Sequence, residues 1–203
     1  MGIGREIEIG DRTLIIHDHE DLADSIAGSW TWDCSLVLAQ WLPMPSWPPD
    51  SFTGKRVVEL GAGTGIPGLT AAALGASVVL TDIPELLPGL QRNVDENDLR
   101  QQATVKSLMW GDDCSPLSPP VDFLLMSDLL YDVKAMPALC KTLNELADGR
   151  TQILLAYELR HGTTECFKAL LEAGFRWTKV PQEELHPQWQ SEDIGIFRVF
   201  KQI

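Results

Sequence analysis

The chain has 203 residues, of which 44% are hydrophobic and 22% are charged, a composition typical of a soluble globular domain. This length and composition predict a single domain over residues 1–203 and exclude a wholly disordered chain, a coiled coil and a collagen. The 16 basic and 29 acidic residues give a formal net charge of −13, which disfavours direct binding to the phosphates of nucleic acids.

The N-terminal part of the chain predicts a hairpin followed by a helix. Residues 6–9 alternate polar and apolar side chains, a Gly-Asp pair favours a turn, and residues 13–16 read as the returning strand. Asp33 is expected to cap a helix over residues 34–41. We treat residues 1–54 as an N-terminal extension of the domain core, which spans residues 55–203.

Alternating strands and helices in this core predict an α/β fold with a mostly parallel sheet and helices on both faces. The segment 121–127 is almost continuously apolar and is expected to be central in the sheet. The last two strands have no helix between them, which predicts an antiparallel hairpin at one edge. Seven strands are expected over residues 56–60, 77–81, 103–108, 121–127, 152–157, 176–180 and 196–200, with helices over 66–74, 84–97, 136–146 and 164–173.

The cysteines and histidines do not form a metal-binding pattern. There are four of each, scattered along the chain, without a CxxC or HExxH motif. We therefore expect free thiols in a reducing compartment and no metal site.

No apolar run reaches the ~18 residues that cross a bilayer, and the N-terminus lacks the apolar stretch of a secretory signal. The expected protein is a monomer in the cytoplasm, with the nucleus as an alternative location and no membrane partner.

The strongest motif is a glycine-rich loop at residues 61–65, Gly-Ala-Gly-Thr-Gly, directly after the first core strand. Glycines allow a tight turn and a close approach of the backbone to a ligand, and the following helix offers free amides to polar atoms. Asp82 ends the next strand about 20 residues later, where a carboxylate can accept hydrogen bonds from ribose hydroxyls. The loop therefore predicts a cofactor that contains adenosine.

Two kinds of cofactor compete for this loop. Residues 63–68 match the dinucleotide pattern GxGxxG, but that pattern should begin directly after the strand, and counted from Gly61 its third glycine falls on Ile66. Glu59, inside the strand end, would repel a pyrophosphate. It suits S-adenosylmethionine, which carries a sulfonium and an amino group and no phosphate, so this cofactor is favoured. The alternative for Glu59 is a carboxylate that braces the loop by accepting backbone amides.

Several segments together resemble the class I S-adenosylmethionine-dependent methyltransferases. Two are residues 57–76, VVELGAGTGIPGLTAAALGA, and residues 80–97, LTDIPELLPGLQRNVDEN. Three more, at 30–33 (Trp-Thr-Trp-Asp), 108–111 (Leu-Met-Trp-Gly) and 127–132 (Ser-Asp-Leu-Leu-Tyr-Asp), are similar more narrowly to the lysine methyltransferases called methyltransferase-like 21 or methyltransferase family 16. The glycine loop is common to many methyltransferases, whereas the Asp-x-x-Tyr with the upstream Trp-Asp is much more specific.

The resemblance implies a Rossmann-like sheet of seven strands, with S-adenosylmethionine as cofactor and S-adenosylhomocysteine as product. It places Asp128 and Tyr131 on the acceptor side, as the predicted catalytic residues, where they can orient a lysine amine and receive its proton through water. The other positions are assigned to the methionine, ribose and adenine parts of the cofactor. Together with Glu59, the predicted cofactor contacts are Trp32, Gly61, Ala62, Gly63, Gly65, Asp82, Ile83, Trp110 and Ser127.

Some of these residues also have purely structural interpretations. Trp110 can be a core residue, Trp32 can pack the hairpin onto the sheet, and Asp128 can cap the next helix. Glu158 and Arg160 end a strand at the edge where open sheets bind ligands, so we expect them near the acceptor entrance.

The predicted activity is the transfer of a methyl group from S-adenosylmethionine to a lysine ε-amine of a protein. The resemblance implies a protein substrate such as a chaperone or another ATPase. A methyltransferase for small molecules or nucleic acids is the alternative, because the fold alone does not set the acceptor. The acidic charge and the absence of an Asn-Pro-Pro-Tyr motif argue against nucleic acid. A binding module without catalysis is a third hypothesis, against which the intact motifs argue.

Overall fold

The computed structural model describes residues 4–22, 25–160 and 164–202. A small antiparallel hairpin comes first, formed by β1 (Arg5–Ile9) and β2 (Arg12–Ile16). Strands and helices then alternate along the chain. The elements are α1 (Asp33–Trp41), β3 (Arg56–Leu60), α2 (Ile66–Ala73), β4 (Ser77–Asp82), α3 (Leu87–Glu96), β5 (Ala103–Ser107), β6 (Phe123–Ser127), α4 (Met136–Leu146), β7 (Gln152–Glu158), α5 (Thr164–Glu172), β8 (Phe175–Lys179) and β9 (Ile194–Lys201).

The seven strands β3 to β9 form one mixed sheet in the order β5-β4-β3-β6-β7-β9-β8. The first five are parallel to one another, and β9 is antiparallel to both β7 and β8. The predicted seven-stranded sheet, with a central β6 and an antiparallel hairpin at one edge, is confirmed.

Both faces of the sheet are covered by helices, as predicted. Along β6, Phe123 and Leu125 belong to the apolar cluster that contains α1, α2 and α3, whereas Leu124 and Met126 belong to the cluster that contains α4 and α5. Successive side chains of a strand point to opposite faces, so a strand buried on both sides must be apolar at nearly every position. This explains the continuous apolar run that marks the strand in the sequence.

The N-terminal hairpin is tied to the sheet through two asparagines of the α3 segment. Asn97 accepts the Ile15 amide at 2.8 Å and donates to the Ile15 carbonyl at 2.7 Å. Asn93 accepts the His17 amide at 2.9 Å and donates to the His17 carbonyl at 3.0 Å. These side chains satisfy backbone groups of Ile15, on the open edge of β2, and of His17, just after the strand. The hairpin therefore leads the following residues to the carboxyl edge of the sheet.

Asp33 does not cap α1, contrary to the prediction. Trp32 occupies the cap position, with no hydrogen bond from a side chain to the first turn, and Asp33 is the first helical residue. Its carboxylate still lies where the helix dipole favours a negative charge.

All four cysteines are buried and free. Within residues 4–22, 25–160 and 164–202, no helix is long and apolar enough to cross a membrane.

Candidate active site

A cavity of about 540 Å³ lies at the carboxyl ends of β3, β4 and β6. Its volume is within the ~300–1,000 Å³ of small-molecule sites, and open α/β sheets bind ligands at this edge. All of the predicted site residues except Glu59 and Gly65 line it: Trp32, Gly61, Ala62, Gly63, Asp82, Ile83, Trp110, Ser127, Asp128 and Tyr131. The fold thus brings the predicted cofactor and acceptor residues to one cavity.

The glycine loop has the backbone that its sequence predicts. Gly61, Gly63 and Gly65 all have positive φ angles, which residues with a side chain rarely adopt. At Gly63 a side chain would also meet the backbone, because an added Cβ would lie 2.9 Å from the Gly28 carbonyl oxygen. The loop therefore depends on glycine both for its turns and for its close contact with the N-terminal segment.

Asp82 connects the end of β4 to the glycine loop. Its Oδ2 accepts the Gly63 amide at 2.7 Å, and its Oδ1 accepts the Ile83 amide at 2.8 Å. Burial raises the pKa of Asp82, while the two amides and nearby His19 oppose this shift. The carboxylate is thereby fixed at the cavity wall, with acceptor capacity left for hydroxyl groups.

Glu59 and Gly65 lie behind the cavity wall. Glu59 is only 1% exposed, and its Oε2 accepts the Gly68 amide at 2.9 Å. Burial raises the pKa of Glu59 well above its ordinary value of 4.5, against the opposing effect of this amide. The hydrogen bond supports the interpretation of Glu59 as a brace for the loop and the start of α2. Its direct contact with a cofactor stays a prediction.

Tryptophans form the apolar walls of the cavity. Trp32 is 45% exposed and lines the cavity, and its indole N–H donates to the Ala27 carbonyl at 2.8 Å. Trp110 lies opposite the glycine loop, where its ring would be 3.5 Å from a Cβ at Gly61. Its ring centroid is 6.4 Å from that of Tyr131. Flat apolar rings of this kind suit an adenine.

The acceptor end holds a carboxylate, a phenol and a guanidinium. Asp128 has a φ of +56°, and its Oδ2 is 2.6 Å from Arg160 Nη2. It does not cap the next helical turn, because Asp132 does so by accepting the Lys134 amide at 2.9 Å. Partial burial and the carboxylates of Asp82, Asp132 and Asp128 raise the pKa of Tyr131. Its hydroxyl is therefore protonated at neutral pH and can act as a hydrogen-bond donor.

Burial also raises the pKa of Asp128, whereas the charge of Arg160 lowers it. The neighbouring guanidinium thus compensates in part for the desolvation of the carboxylate. A carboxylate held in this way can orient an amine or accept its proton.

The sequence did not identify the N-terminal segment as a cavity wall. Ile26, Ala27, Gly28 and Trp30 all line the cavity. Their segment is tied to the glycine loop through His19, whose amide donates to the Ser29 carbonyl at 2.8 Å and whose Nε2 is 3.0 Å from the Gly63 carbonyl oxygen. The Trp-Thr-Trp-Asp motif was the one sign of this role, and in it we predicted a cofactor contact for Trp32 but not for Trp30. Arg160, expected only near the entrance, also lines the cavity. The further lining residues are Ser35, Thr64, Leu86, Leu108, Met109, Leu129, Ala135 and Ala138.

Comparison with known proteins agrees with this geometry. Residues 10–173 match a family described as lysine methyltransferase. The chain is 38% identical to the protein N-lysine methyltransferase METTL21A of Danio rerio, over 84% of this chain and 76% of the relative. It is 35% identical to EEF1A lysine methyltransferase 3 of Xenopus tropicalis, over 83% of this chain and 72% of the relative.

Solved structures with low sequence identity share the fold. An O-methyltransferase family 2 protein of Planctomyces limnophilus matches with a TM-score of 0.62 and 15% identity, over 91% of this chain and 60% of its own. A ribosomal protein L11 methylase of Lactobacillus delbrueckii matches with a TM-score of 0.57 and 16% identity, over 84% and 77% of the two chains. Their different names illustrate that this fold accommodates several acceptors.

Proposed function

The chain belongs to the lysine methyltransferase family, and we propose that its cavity holds S-adenosylmethionine next to the acceptor lysine of a protein substrate. The family and the fold imply S-adenosylmethionine as the methyl donor, so the chain is an S-adenosylmethionine-dependent protein-lysine methyltransferase. One observation carries the proposal for the site. The glycine loop and Asp82 line the same cavity as Asp128 and Tyr131.

The residues present fit this cofactor better than a dinucleotide. Gly61 and Gly63 shape the loop at the cavity wall, because an added Cβ would meet Leu129 at the first and the Gly28 carbonyl at the second. Asp82, beside them, can accept hydrogen bonds from ribose hydroxyls. Among the described residues that line the cavity, Arg160 alone is basic, and it is paired with Asp128 at the acceptor end. A pyrophosphate at the glycine loop would thus lack a neighbouring cationic side chain.

We assign a role to each part of the cavity wall. Asp82 holds the ribose, Ile83 and Trp110 contact the adenine, and Trp32 closes the N-terminal side. Asp128 and Tyr131 orient the acceptor amine. The backbone of Ser127 and the loop residues Gly61, Ala62 and Gly63 would surround the methionine and ribose parts, with Gly65 and Glu59 behind them.

The chain contributes to catalysis mainly by positioning. S-adenosylmethionine, when bound, supplies an electrophilic methyl group on a sulfonium. A lysine has a solution pKa of ~10.4, so its ammonium must lose a proton before it can act as a nucleophile. Asp128 and Tyr131 can fix the amine in line by hydrogen bonds, and the tryptophans supply apolar walls beside it. The proton passes to solvent, and neither side chain needs to form a covalent bond.

The acceptor is proposed to be a lysine of a protein. One relative is named for EEF1A, which makes EEF1A a reasonable first acceptor to test, and chaperones and other ATPases follow from the family resemblance. A cytoplasmic location and a monomeric state stay predictions.

Two experiments test the proposal. Calorimetric titration with S-adenosylmethionine, and separately with NADH, should give micromolar affinity for the first and no binding of the second. Incubation of a cell lysate with the enzyme and tritiated S-adenosylmethionine should label protein bands that contain methyl-lysine. Label in small molecules would instead favour the alternative acceptor class, and binding of NADH alone would overturn the methyltransferase site.

A further inference from the structure

Arg160 connects two carboxylates at the acceptor end of the cavity. Its Nη2 is 2.6 Å from Asp128 Oδ2, and the same nitrogen contacts Glu158 Oε2. Its Nε donates to Glu158 Oε2 at 2.9 Å. The Arg160 amide lies 3.3 Å from the Tyr157 hydroxyl, which fixes the backbone at the end of β7. The guanidinium is therefore held between β6 and β7, at the place where the acceptor amine is proposed to enter.

The charges of this triad, formed by Asp128, Glu158 and Arg160, affect the protonation of an amine acceptor. Two carboxylates and one guanidinium leave one net negative charge, enough to attract one ammonium. Without the guanidinium, two carboxylates would face the ammonium and stabilise its protonated form. A protonated lysine has no free electron pair for methyl transfer. The cation thus favours the neutral amine, although it contributes no atom to the reaction.

We propose that Arg160 is a positioning residue, which compensates one of two carboxylates so that Asp128 stays ionised and the acceptor ammonium can lose its proton. This inference rests on the proposed function. The proton that the ammonium loses passes to solvent, and the amine keeps its electron pair. Arg160 itself remains protonated throughout.

Other charged and titratable groups lie near Asp128. Tyr131 and Asp132 lie on its own loop, and the buried thiol of Cys34 faces the triad from α1, with the exposed carboxylate of Asp33 next to it in the helix. Burial raises the pKa of Cys34 far above neutrality, and the carboxylates of Asp128 and Glu158 raise it further. This thiol is therefore neutral over the range in which the acceptor amine must lose its proton.

The test measures the pH dependence of kcat on a lysine acceptor labelled by the wild-type enzyme. Arg160→Gln should move the midpoint of the acidic limb upward by about one pH unit, a rate loss of about fivefold at the wild-type midpoint that recovers at higher pH. Arg160→Lys should restore the wild-type midpoint. Glu158→Gln removes a negative charge and should move the midpoint downward. Arg100→Gln is the matched control, because Arg100 makes an equally short 2.6 Å pair with Asp95 and is not among the residues that line the cavity.

A loss of kcat that is uniform over pH in Arg160→Gln would show a merely structural role and overturn the inference. So would midpoints that move in the same direction in Arg160→Gln and Glu158→Gln. Thermal melting identifies any variant that fails to fold, and Arg160→Lys and Glu158→Gln then carry the test.

A second measurement does not depend on turnover. The Asp128 carboxylate can be titrated by ¹³C NMR, with its signal assigned from its loss in Asp128→Asn. Its pKa should rise in Arg160→Gln and fall in Glu158→Gln, and an unchanged pKa in both would overturn the inference. A wild-type enzyme that labels no protein would contradict the proposed function alone, because the NMR titration still decides the role of Arg160.

Discussion

At the scale of single residues, Asp82 carries the strongest assignment to the cofactor. Both of its oxygens accept backbone amides, and the ribose would use their remaining acceptor capacity. Asp82→Asn should therefore weaken S-adenosylmethionine binding at least about tenfold, since a hydrogen bond to a charged group contributes about 1.5–3 kcal/mol. Calorimetry measures this, with Glu85→Gln as the control, because Glu85 is exposed just after β4. Equal affinities for both variants would contradict the assignment.

Asp128 belongs to the acceptor side, so its removal should affect turnover rather than cofactor affinity. In Asp128→Asn we expect kcat to fall about 100-fold or more, as for other groups that orient or accept a proton. Calorimetry with S-adenosylmethionine should give the wild-type affinity. In the wild type, activity requires the ionised carboxylate, and because the pKa of Asp128 is raised, kcat should fall as the pH drops through that raised value. Unchanged turnover in the variant would contradict the assignment.

The buried carboxyl of Glu59 should make the free energy of unfolding depend on pH. The unfolded chain releases the Glu59 proton near the ordinary pKa of 4.5, whereas the folded protein retains it to a higher pH. The folded state then binds more protons, so this residue lowers the free energy of unfolding as the pH rises above that value. Glu59→Gln keeps an acceptor for the Gly68 amide and removes this dependence. The difference in melting temperature between variant and wild type should grow in favour of the variant between about pH 5 and pH 8.

The same variant distinguishes the two interpretations of Glu59. A brace for the loop predicts that Glu59→Gln binds S-adenosylmethionine like the wild type. A direct contact with the cationic end of the cofactor predicts a tenfold or greater loss of affinity, comparable with that of Asp82→Asn. A melting difference that does not change with pH would contradict the linkage argument in either case.

At the scale of elements, α3 holds the hairpin and the glycine loop together. Asn93 is fully buried and donates to the carbonyls of both His17 and Thr64, each at 3.0 Å. Asn93→Ala leaves several backbone groups unpaired and should cost about 2–3 kcal/mol of stability. Because Thr64 is part of the loop, this variant should also weaken S-adenosylmethionine binding.

Asn97 provides the matched control for this prediction. It pairs with Ile15 but makes no hydrogen bond to the glycine loop among the described residues. Asn97→Ala should therefore lower the melting temperature and leave the calorimetric affinity unchanged. If both variants lose affinity equally, the effect comes from the hairpin as a whole and not from Asn93.

Local sequence patterns predicted the elements more completely than the contacts between them. The predictions were correct for the strand at 56–60, the start of α2 at Ile66 and the whole of α4. Apolar runs, and the glycines or prolines that bound them, are local signals. The cap of α1 was wrong because Asp33 was preferred over Trp32 on residue type alone. Asparagines four residues apart on the apolar face of a helix could have indicated buried hydrogen bonds, but their partners lie about 80 positions away.

The part of the site that follows strands directly could be predicted from local patterns in the sequence, whereas the contacts between distant segments could not. The loop and Asp82 follow strands directly, so the parallel sheet places them at one edge. The wall formed by Ile26 to Trp30 depends on how the hairpin docks, and the pairing of Arg160 with Asp128 depends on the neighbouring ends of β6 and β7. Neither contact leaves a periodic signal in the sequence.

At the scale of the whole molecule, the hairpin shares one apolar core with the sheet. Ile7, Ile9, Leu14 and Ile16 belong to the same buried cluster as α1 and α2. The hairpin cannot detach without exposing that core, so we expect the predicted single domain to unfold in one cooperative step. Far-ultraviolet circular dichroism and tryptophan fluorescence should give coincident transitions.

Ligand binding tests this cooperativity, because a ligand bound only to the folded state stabilises everything that unfolds with its site. S-adenosylhomocysteine at about a hundredfold excess over its Kd should add about 2.7 kcal/mol and move both transitions together. Asn97→Ala, which weakens the hairpin contact, should lower both transitions together as well. An early fluorescence transition that the ligand does not move would show that the N-terminal extension unfolds separately. In that case the extension would contribute nothing to cofactor binding, so cofactor affinity would be the same below and above that first transition, and the assignment of residues 26–30 to the cofactor wall would be contradicted.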